Sequence, residues 1–247
     1  VGEVELGASA LGGIFFITVF MLGLGFSIGA QILMGRRNGE GNYPRIGSIF
    51  YHSLGFLLVL ATVLFVLTRQ FSPYIMEQLI SSHRVYEAAN SYLHWRVYGF
   101  FFAFINLMFR AFFVATTHTR TLTLNSVIMV LSNVVFNYTL IFGNFGFPAL
   151  GIAGAAIGSS MAEAVSTLFF IIYTWRSIPY SRYALNVLPH FKFHLLGHIL
   201  GLSVWTMVQN FLSLGTWFIF FLSIEHLGEQ PLAATNIIRN ISSFTFM

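Results

Sequence analysis

The chain has 247 residues, of which 56% are hydrophobic and only 8% are charged, and its mean hydropathy is +0.77. Because soluble domains carry about 25% charged residues, this composition excludes a water-soluble globule and predicts that lipid covers most of the surface. The net charge of +4 does not indicate a nucleic-acid partner, since the basic residues fall in short loops, and the absence of cysteine excludes disulfides and thiolate metal sites.

Six apolar runs are long enough to cross a bilayer, which takes about 20 residues of helix. A seventh begins near Pro231, a residue that suits the first turn of a helix, and stops at Met247 before it can span. The sequence therefore predicts an all-α, polytopic transmembrane helix bundle of about six full helices and a truncated seventh. The six runs are residues 8–35, 46–68, 92–115, 121–143, 150–175 and 195–223.

The basic residues indicate the orientation of the helices. Lys and Arg in short loops favour the cytoplasmic side, and seven of them share one side of the predicted bundle. The opposite side has only two or three, so we expect a multi-pass protein of the cell (inner or plasma) membrane whose first residues lie outside. The seven are Arg36, Arg37, Arg45, Arg120, Arg176, Arg182 and Lys192.

An internal similarity relates the two ends of the chain. Residues 1–9 can be aligned with residues 227–235 at an offset of 226, and each copy opens a helix. Chance likeness between apolar helix starts is one explanation. The other is a parallel repeat of the kind that transporters contain. The repeat predicts that the chain lacks one helix at its start and about four and a half at its end.

Several motifs, in order along the chain, resemble the multidrug and toxic compound extrusion (MATE) family. The resemblance implies twelve helices in two lobes and the export of cationic and amphiphilic compounds, driven by protons or sodium ions. It favours the branch similar to the bacterial DNA-damage-inducible protein F. The motifs are the Gly25–Gln31 run, Arg110, Thr119–Thr121, the Asn133–Tyr138 stretch with Leu140–Gly143, and the Gly/Ala-rich Phe147–Ala156 segment.

On this resemblance the chain runs from the family's second helix to the start of its eighth. Residues 1–176 would form an N-terminal lobe without its first helix, 177–194 a cytoplasmic linker, and 195–247 the start of a C-terminal lobe. We expect a transporter and not an enzyme, a monomer when complete, with small organic cations as substrates. No cofactor or bound metal is expected beyond the transported ion.

Asn133 and Asn137 form the first candidate site. They lie four residues apart and therefore share one helix face, with Ser126 two turns away. Buried amides in lipid serve either as hydrogen-bond contacts between helices or as a binding site, and their spacing leaves both open. The resemblance implies that they line the cation and substrate cavity. Relatives often carry Asp at the position of Asn137, whereas this chain contains no Asp.

Glu163 is the only acidic residue deep in a predicted span. Intramembrane carboxylates tend to mark ion or proton paths, and Ser159 and Ser160 add a small polar face beside it. The alternative is a glutamate that ties helices together through an arginine, for which Arg110 is the candidate. We predict Asn133, Asn137 and Glu163 as the cation and substrate site, with a supporting polar face of Ser126, Ser159, Ser160, Gln209 and Asn210.

Other functions fit the sequence less well. A retinal protein is excluded because the only lysine, Lys192, lies in a loop. A lipid-linked oligosaccharide flippase of related architecture is the main alternative, although few basic residues are available to line its cavity. The pairs Gly25 and Gly29, and Gly154 and Gly158, predict close helix contacts.

Overall fold

The structure is a computed structural model that describes residues 3–245. These residues form eight α-helices and one short 3-10 turn, and no strand occurs among them. The prediction of an all-α transmembrane helix bundle is confirmed. The helices are α1 (Glu3–Gly39), α2 (Tyr43–Leu79), α3 (His83–Arg96), α4 (Gly99–Ala115), α5 (Arg120–Phe142), α6 (Gly151–Ser177), α7 (Phe193–Glu225) and α8 (Glu229–Thr245). Val1 and Gly2, which open the predicted repeat, lie outside the described residues, as do Phe246 and Met247.

The helices extend beyond the apolar runs that predict them. Five of them (α1, α2, α5, α6 and α7) are each long and apolar enough to cross a membrane, and α3 with α4 makes a sixth span if that pair is counted as one. Helices α1 and α2 have 37 residues each, whereas about 20 suffice to span. Polar ends such as Arg36–Gly39 keep the helical hydrogen bonds after the hydropathy signal has stopped, so the predicted boundaries were too short.

The predicted apolar run over 92–115 does not form one straight helix. The chain forms two helices there, α3 and α4, which meet at an angle of 54°. Helix α3 begins at His83, where the Ser82 hydroxyl caps it by accepting from the Val85 N–H at 3.5 Å. The bend directly follows Arg96. Gly99, at the start of α4, leaves room for the side chain of Glu163, because a Cβ at this position would lie 2.7 Å from Oε2 of Glu163.

The hydrophobic core lies around α1 and α4. Helix α1 contacts α2, α3, α4, α7 and α8, so it is the central element of the bundle. Aromatic side chains fill the space beside it: Phe16 stacks on Phe100 with ring centroids 4.5 Å apart, and Phe113 stacks on Phe170 at 5.5 Å. Aromatic pairs of this kind add stabilisation beyond the area that they bury. They hold α4 between α1 and α6.

Small residues bring two pairs of helices unusually close, as the sequence predicted. A Cβ at Gly25 of α1 would lie 2.5 Å from the Cα of Met207 in α7, and the hydroxyl of Ser203 donates to the Phe26 carbonyl at 3.2 Å. Gly154 and Gly158 likewise let α6 approach α5. Such contacts are typical of membrane helices, where close packing replaces the hydrophobic effect as the force between helices.

The segment between α6 and α7 runs along α2. The Tyr51 hydroxyl donates to the Leu185 carbonyl, and the backbone N–H of Lys192 donates to Nε2 of His52 at 2.7 Å. Helix α7 then packs along α1 and makes the most extensive helix contact in the described residues. The assignment of 1–176, 177–194 and 195–247 to two lobes and a linker remains a prediction.

Candidate functional site

The two candidate amides lie on α5 and face α6. Nδ2 of Asn137 donates to Oδ1 of Asn133 at 2.6 Å, and Nδ2 of Asn133 donates to the Ser159 hydroxyl at 3.5 Å. The structure therefore brings three predicted site residues into one hydrogen-bonded row. The close approach of α5 and α6 at Gly158 makes this possible, because a Cβ there would lie 2.5 Å from Oδ1 of Asn137.

Oδ1 of Asn137 is a buried acceptor that receives no hydrogen bond from any described residue. Most buried polar atoms are satisfied, so such an oxygen calls for an explanation. An amide carbonyl is a neutral ligand of the hard type that small cations accept. The row can thus offer one free oxygen to an ion without breaking any of its own hydrogen bonds.

Ser126 does not join this row, because its side chain is exposed. The buried polar residue at that depth is its neighbour Asn125, whose Oδ1 accepts from the Ser166 hydroxyl at 2.9 Å. Sequence reasoning missed Asn125. An amide inside an apolar run was the available signal, but the helical spacing from Asn133 favoured Ser126.

Glu163 lies on α6 and points towards α3. Its Oε1 accepts from Nη2 of Arg96 at 2.5 Å and its Oε2 from Nη1 at 3.0 Å, and each side chain is only 11% exposed. Nη1 of Arg96 also lies 3.4 Å from the Ser160 hydroxyl. The expected arginine partner was Arg110, but that residue is exposed, and the partner is Arg96.

The guanidinium of Arg96 is further held by an aromatic ring. Its Cζ lies 3.9 Å from the centroid of the Phe16 ring, within the range of a cation–π contact. A planar guanidinium with two bonds to one carboxylate and a ring on its face is well oriented. The arrangement offsets the charge of Glu163 and connects α1, α3 and α6 at the bend.

Backbone and amide groups also hold α6 in place next to Glu163. Nδ2 of Asn106 donates to the Glu163 carbonyl at 3.0 Å, and the Thr167 hydroxyl donates to Oδ1 of Asn106 at 2.9 Å. Asn106 is buried on α4. It therefore acts as a hydrogen-bond bridge between α4 and α6, a role that its position in an apolar helix does not by itself reveal.

The amide row and Glu163 lie at two different helix contacts of α6. The row lies between α5 and α6, whereas the carboxylate faces Arg96 of α3, and no hydrogen bond joins the row to the carboxylate among the described residues.

The predicted polar residues of α7 do not join either group: Gln209 is exposed and Asn210 is half-buried. Groups of three or more His, Asp or Glu side chains that could hold a metal ion are absent from the described part of the chain.

Glu225, which follows the predicted 195–223 run, is a second buried acid. Its side chain at the end of α7 accepts from the backbone N–H groups of Ser81 and Ser82 at 3.0 to 3.1 Å. These two residues directly precede α3, whose first N–H groups have no acceptor within the helix. A carboxylate distant in sequence thus caps α3 and connects it to α7.

Comparisons with known proteins identify the family of this chain. A family model described as MatE matches residues 1–139. The chain is similar to a "Probable multidrug resistance protein NorM" of Synechocystis, with 27% identity over all of this chain and 53% of that protein. It is also similar to "Multidrug resistance protein MdtK" of Photorhabdus laumondii, with 24% identity over all of this chain and 54% of that protein. The chain thus spans about half the length of these curated relatives.

Solved structures show the same fold. A multidrug resistance MATE family transporter of the MOP superfamily in an inward-facing conformation matches 98% of this chain and 55% of its own, with a TM-score of 0.87 and 19% identity. The outward-facing conformation of such a transporter matches 96% of this chain with a TM-score of 0.78. At these identities the likeness is one of fold.

Proposed function

This chain belongs to the MatE family, and on that premise we propose that it forms part of a membrane antiporter. The antiporter exports drugs and other cationic or amphiphilic organic compounds in exchange for protons or sodium ions. The relatives named as multidrug resistance proteins support drug export. The ion coupling and the class of substrate are our proposal.

The observation that carries the proposal is the unpaired Oδ1 of Asn137. In a lipid-embedded helix pair, a buried acceptor without a donor is costly, and a cation or the polar group of a substrate would satisfy it. Asn133 fixes the orientation of the Asn137 amide through its 2.6 Å hydrogen bond, and Ser159 supports Asn133 in turn. We assign the cation and substrate contact to this row.

Glu163 enters the proposal through its bond with Arg96. While the pair is intact, Arg96 bonds both carboxylate oxygens and neutralises their charge, which disfavours uptake of a proton or of a second cation. Separation of α3 from α6 at the 54° bend would free the carboxylate. We propose that Glu163 takes up the coupling ion in that separated state, while the Ser160 hydroxyl keeps its bond to the Ala156 carbonyl of α6.

The experiment uses the complete protein that contains this chain, expressed in a drug-sensitive bacterium. Export of a cationic dye should require an ion gradient, and Asn133→Leu with Asn137→Leu should abolish it. Ser126→Ala is the matched control, because Ser126 lies exposed on the same helix. Export that persists after the gradient is collapsed, or no export by a well-expressed intact protein, would disprove the antiporter.

The same proposal places the protein in the inner or plasma membrane as a monomer. It is a transporter with no cofactor besides the coupling ion, and it is not an enzyme. No observation favours the lipid-linked oligosaccharide flippase. The buried arginine of the described spans, Arg96, is neutralised by Glu163 and is therefore not available to bind a pyrophosphate.

A further inference from the structure

A cavity of about 500 Å³ opens at the basic end of the bundle, away from the amide row. It lies where α1 ends and where α2 and α7 begin. Arg37 comes from α1, Arg45 from α2, and Lys192 immediately precedes α7. Residues far apart in sequence thus bring three cationic side chains to the wall of one cavity, which loop composition alone does not predict.

The remaining polar groups of this cavity are also suited to an anion. His194 and His198 of α7 contribute two imidazoles, and Ser48 of α2 a hydroxyl. Helix α7 begins at Phe193, so its first backbone N–H groups lack helical acceptors and carry a partial positive charge. The described residues that line the cavity include no carboxylate.

The α7 end of the cavity is held in place by a buried histidine. Nδ1 of His52 bonds the Ser48 carbonyl at 2.6 Å, and its Nε2 accepts from the Lys192 N–H at 2.7 Å. This pair of bonds requires the tautomer with the proton on Nδ1. Phe191 stacks on the same ring at a centroid distance of 5.1 Å. The start of α7 is therefore attached to α2 at the wall of the cavity.

The cavity also has an apolar floor, formed by Leu33, Ile49 and Leu195. A small hydrated anion gains nothing from such a surface. An amphiphile gains from both parts, because its phosphate can contact the cations and the start of its acyl chains can cover the apolar residues. Basic pockets between transmembrane helices at the headgroup level bind anionic lipids in this way.

We propose that this cavity is a specific binding site for an anionic phospholipid, whose phosphodiester contacts Arg45, Lys192 and the start of α7. The site is independent of the transport proposal, since it shares no residue with the amide row or with the Glu163–Arg96 pair. Bound lipid bridges α1, α2 and α7, and so connects the first helices of the chain to the helix that follows the 178–192 segment.

One acid regulates the site. Glu40 bonds Arg37 at 2.5 Å and Arg36 at 3.0 Å, and hydrogen bonds from Arg37 and then Arg36 hold the pKa of Glu40 below its ordinary value. Glu40 therefore carries its charge at neutral pH and competes with the lipid for Arg37. Removal of that charge should tighten lipid binding.

The test measures lipid binding by the full protein in neutral detergent. Phosphatidylglycerol is titrated against phosphatidylcholine, and bound lipid is counted by native mass spectrometry. Arg45→Gln and Lys192→Gln should each weaken phosphatidylglycerol binding about fivefold, which corresponds to about 1 kcal/mol per basic residue. Glu40→Gln should strengthen it. Arg176→Gln is the matched control, because Arg176 is an exposed arginine at the same end of the bundle outside the cavity.

Equal losses in Arg45→Gln, Lys192→Gln and Arg176→Gln would overturn the site, since they would indicate a diffuse surface charge. Inorganic phosphate is then tested as a competing ligand. If phosphate alone displaces phosphatidylglycerol at equal concentration, the ligand is a soluble phosphate and the lipid assignment is wrong. Thermal unfolding in phosphatidylcholine should be unchanged in all variants, which separates binding from folding. Drug export is not measured, so failure of the transport proposal leaves this result intact.

Discussion

Arg96 and Glu163 form a buried ion pair with two hydrogen bonds, at 2.5 and 3.0 Å, across the contact between α3 and α6. Loss of one partner of such a pair leaves an uncompensated buried charge, which costs about 3–5 kcal/mol. From the sequence alone, Glu163→Gln is expected to fold almost normally, because Gln has the same size. The pairing with Arg96 changes that expectation.

We therefore predict that Glu163→Gln lowers the free energy of unfolding by about 3 kcal/mol or more. The double variant Arg96→Leu with Glu163→Leu should recover most of this loss, because no charge is then left unpaired. Ser160→Ala is the control and should cost about 1 kcal/mol or less, as one weak hydrogen bond. The measurement is denaturant or thermal unfolding in detergent. A single variant as stable as the parent would show that the pair contributes nothing.

The second prediction concerns Asn137→Asp. The substitution removes the Nδ2–H that bonds Oδ1 of Asn133 at 2.6 Å, so two oxygens then face each other. A proton or a cation between them relieves the repulsion. The variant should keep transport, and its thermal stability should rise more steeply with sodium or with acidity than that of the parent.

Asn125→Asp is the comparison for this effect. Oδ1 of Asn125 accepts from the Ser166 hydroxyl, and an aspartate oxygen accepts that bond equally well. The stability of Asn125→Asp should therefore not depend on sodium. Acid should stabilise both variants, because burial disfavours a carboxylate, but the same response to sodium in both would argue against a specific ion site at Asn137.

The third prediction tests the approach of α1 to α7. A Cβ at Gly25 would lie 2.5 Å from the Cα of Met207, whereas nothing lies within 4 Å of the equivalent position at Gly13 on the same helix. Gly25→Ala must push the backbones apart and should destabilise by about 1–3 kcal/mol, as overpacking does. Gly13→Ala should be neutral. Thermal unfolding in detergent measures both variants, and equal stability of Gly25→Ala and Gly13→Ala would contradict the prediction.

The fourth prediction concerns the cap that Glu225 makes on α3. Hydrogen bonds to a charged acceptor contribute about 1.5–3 kcal/mol, so Glu225→Ala should destabilise by at least this amount and loosen the turn at Ser81. Glu77→Ala is the matched control, since Glu77 is exposed near the same end of the bundle. Thiol labelling of Ser81→Cys should be faster in the Glu225 variant than in the Glu77 variant. Similar labelling rates would mean that the cap has no structural role.

The membrane class could be predicted from the sequence because it follows from composition and run length. Apolar runs near 20 residues are helical in lipid, since every backbone group must be bonded internally. The same argument explains why the helix ends and the bend were missed. Beyond the hydrocarbon core, hydropathy no longer reports helicity, so α3 (His83–Arg96), with its polar sequence, was not recognised as a helix.

The candidate site could be predicted only in part. Helical spacing along one element correctly paired Asn133 with Asn137, because both lie on α5 and their relation is local. The partner of Glu163 depends on which helix packs against α6 and at what height. Arg96 ends the polar α3 and Arg110 lies in the apolar α4, and spacing along the chain does not show which of them meets Glu163.

What the sequence determined by itself is therefore everything that depends on one helix: the all-α membrane fold, the shared face of Asn133 and Asn137, and the small residues at close contacts. The tertiary structure alone decided the contacts between helices, namely the Arg96–Glu163 pair, the Glu225 cap on α3 and the basic cavity at Arg37, Arg45 and Lys192. The physical reason is that spacing within a helix follows from backbone geometry, whereas contacts between helices depend on packing, which joins residues more than 60 positions apart.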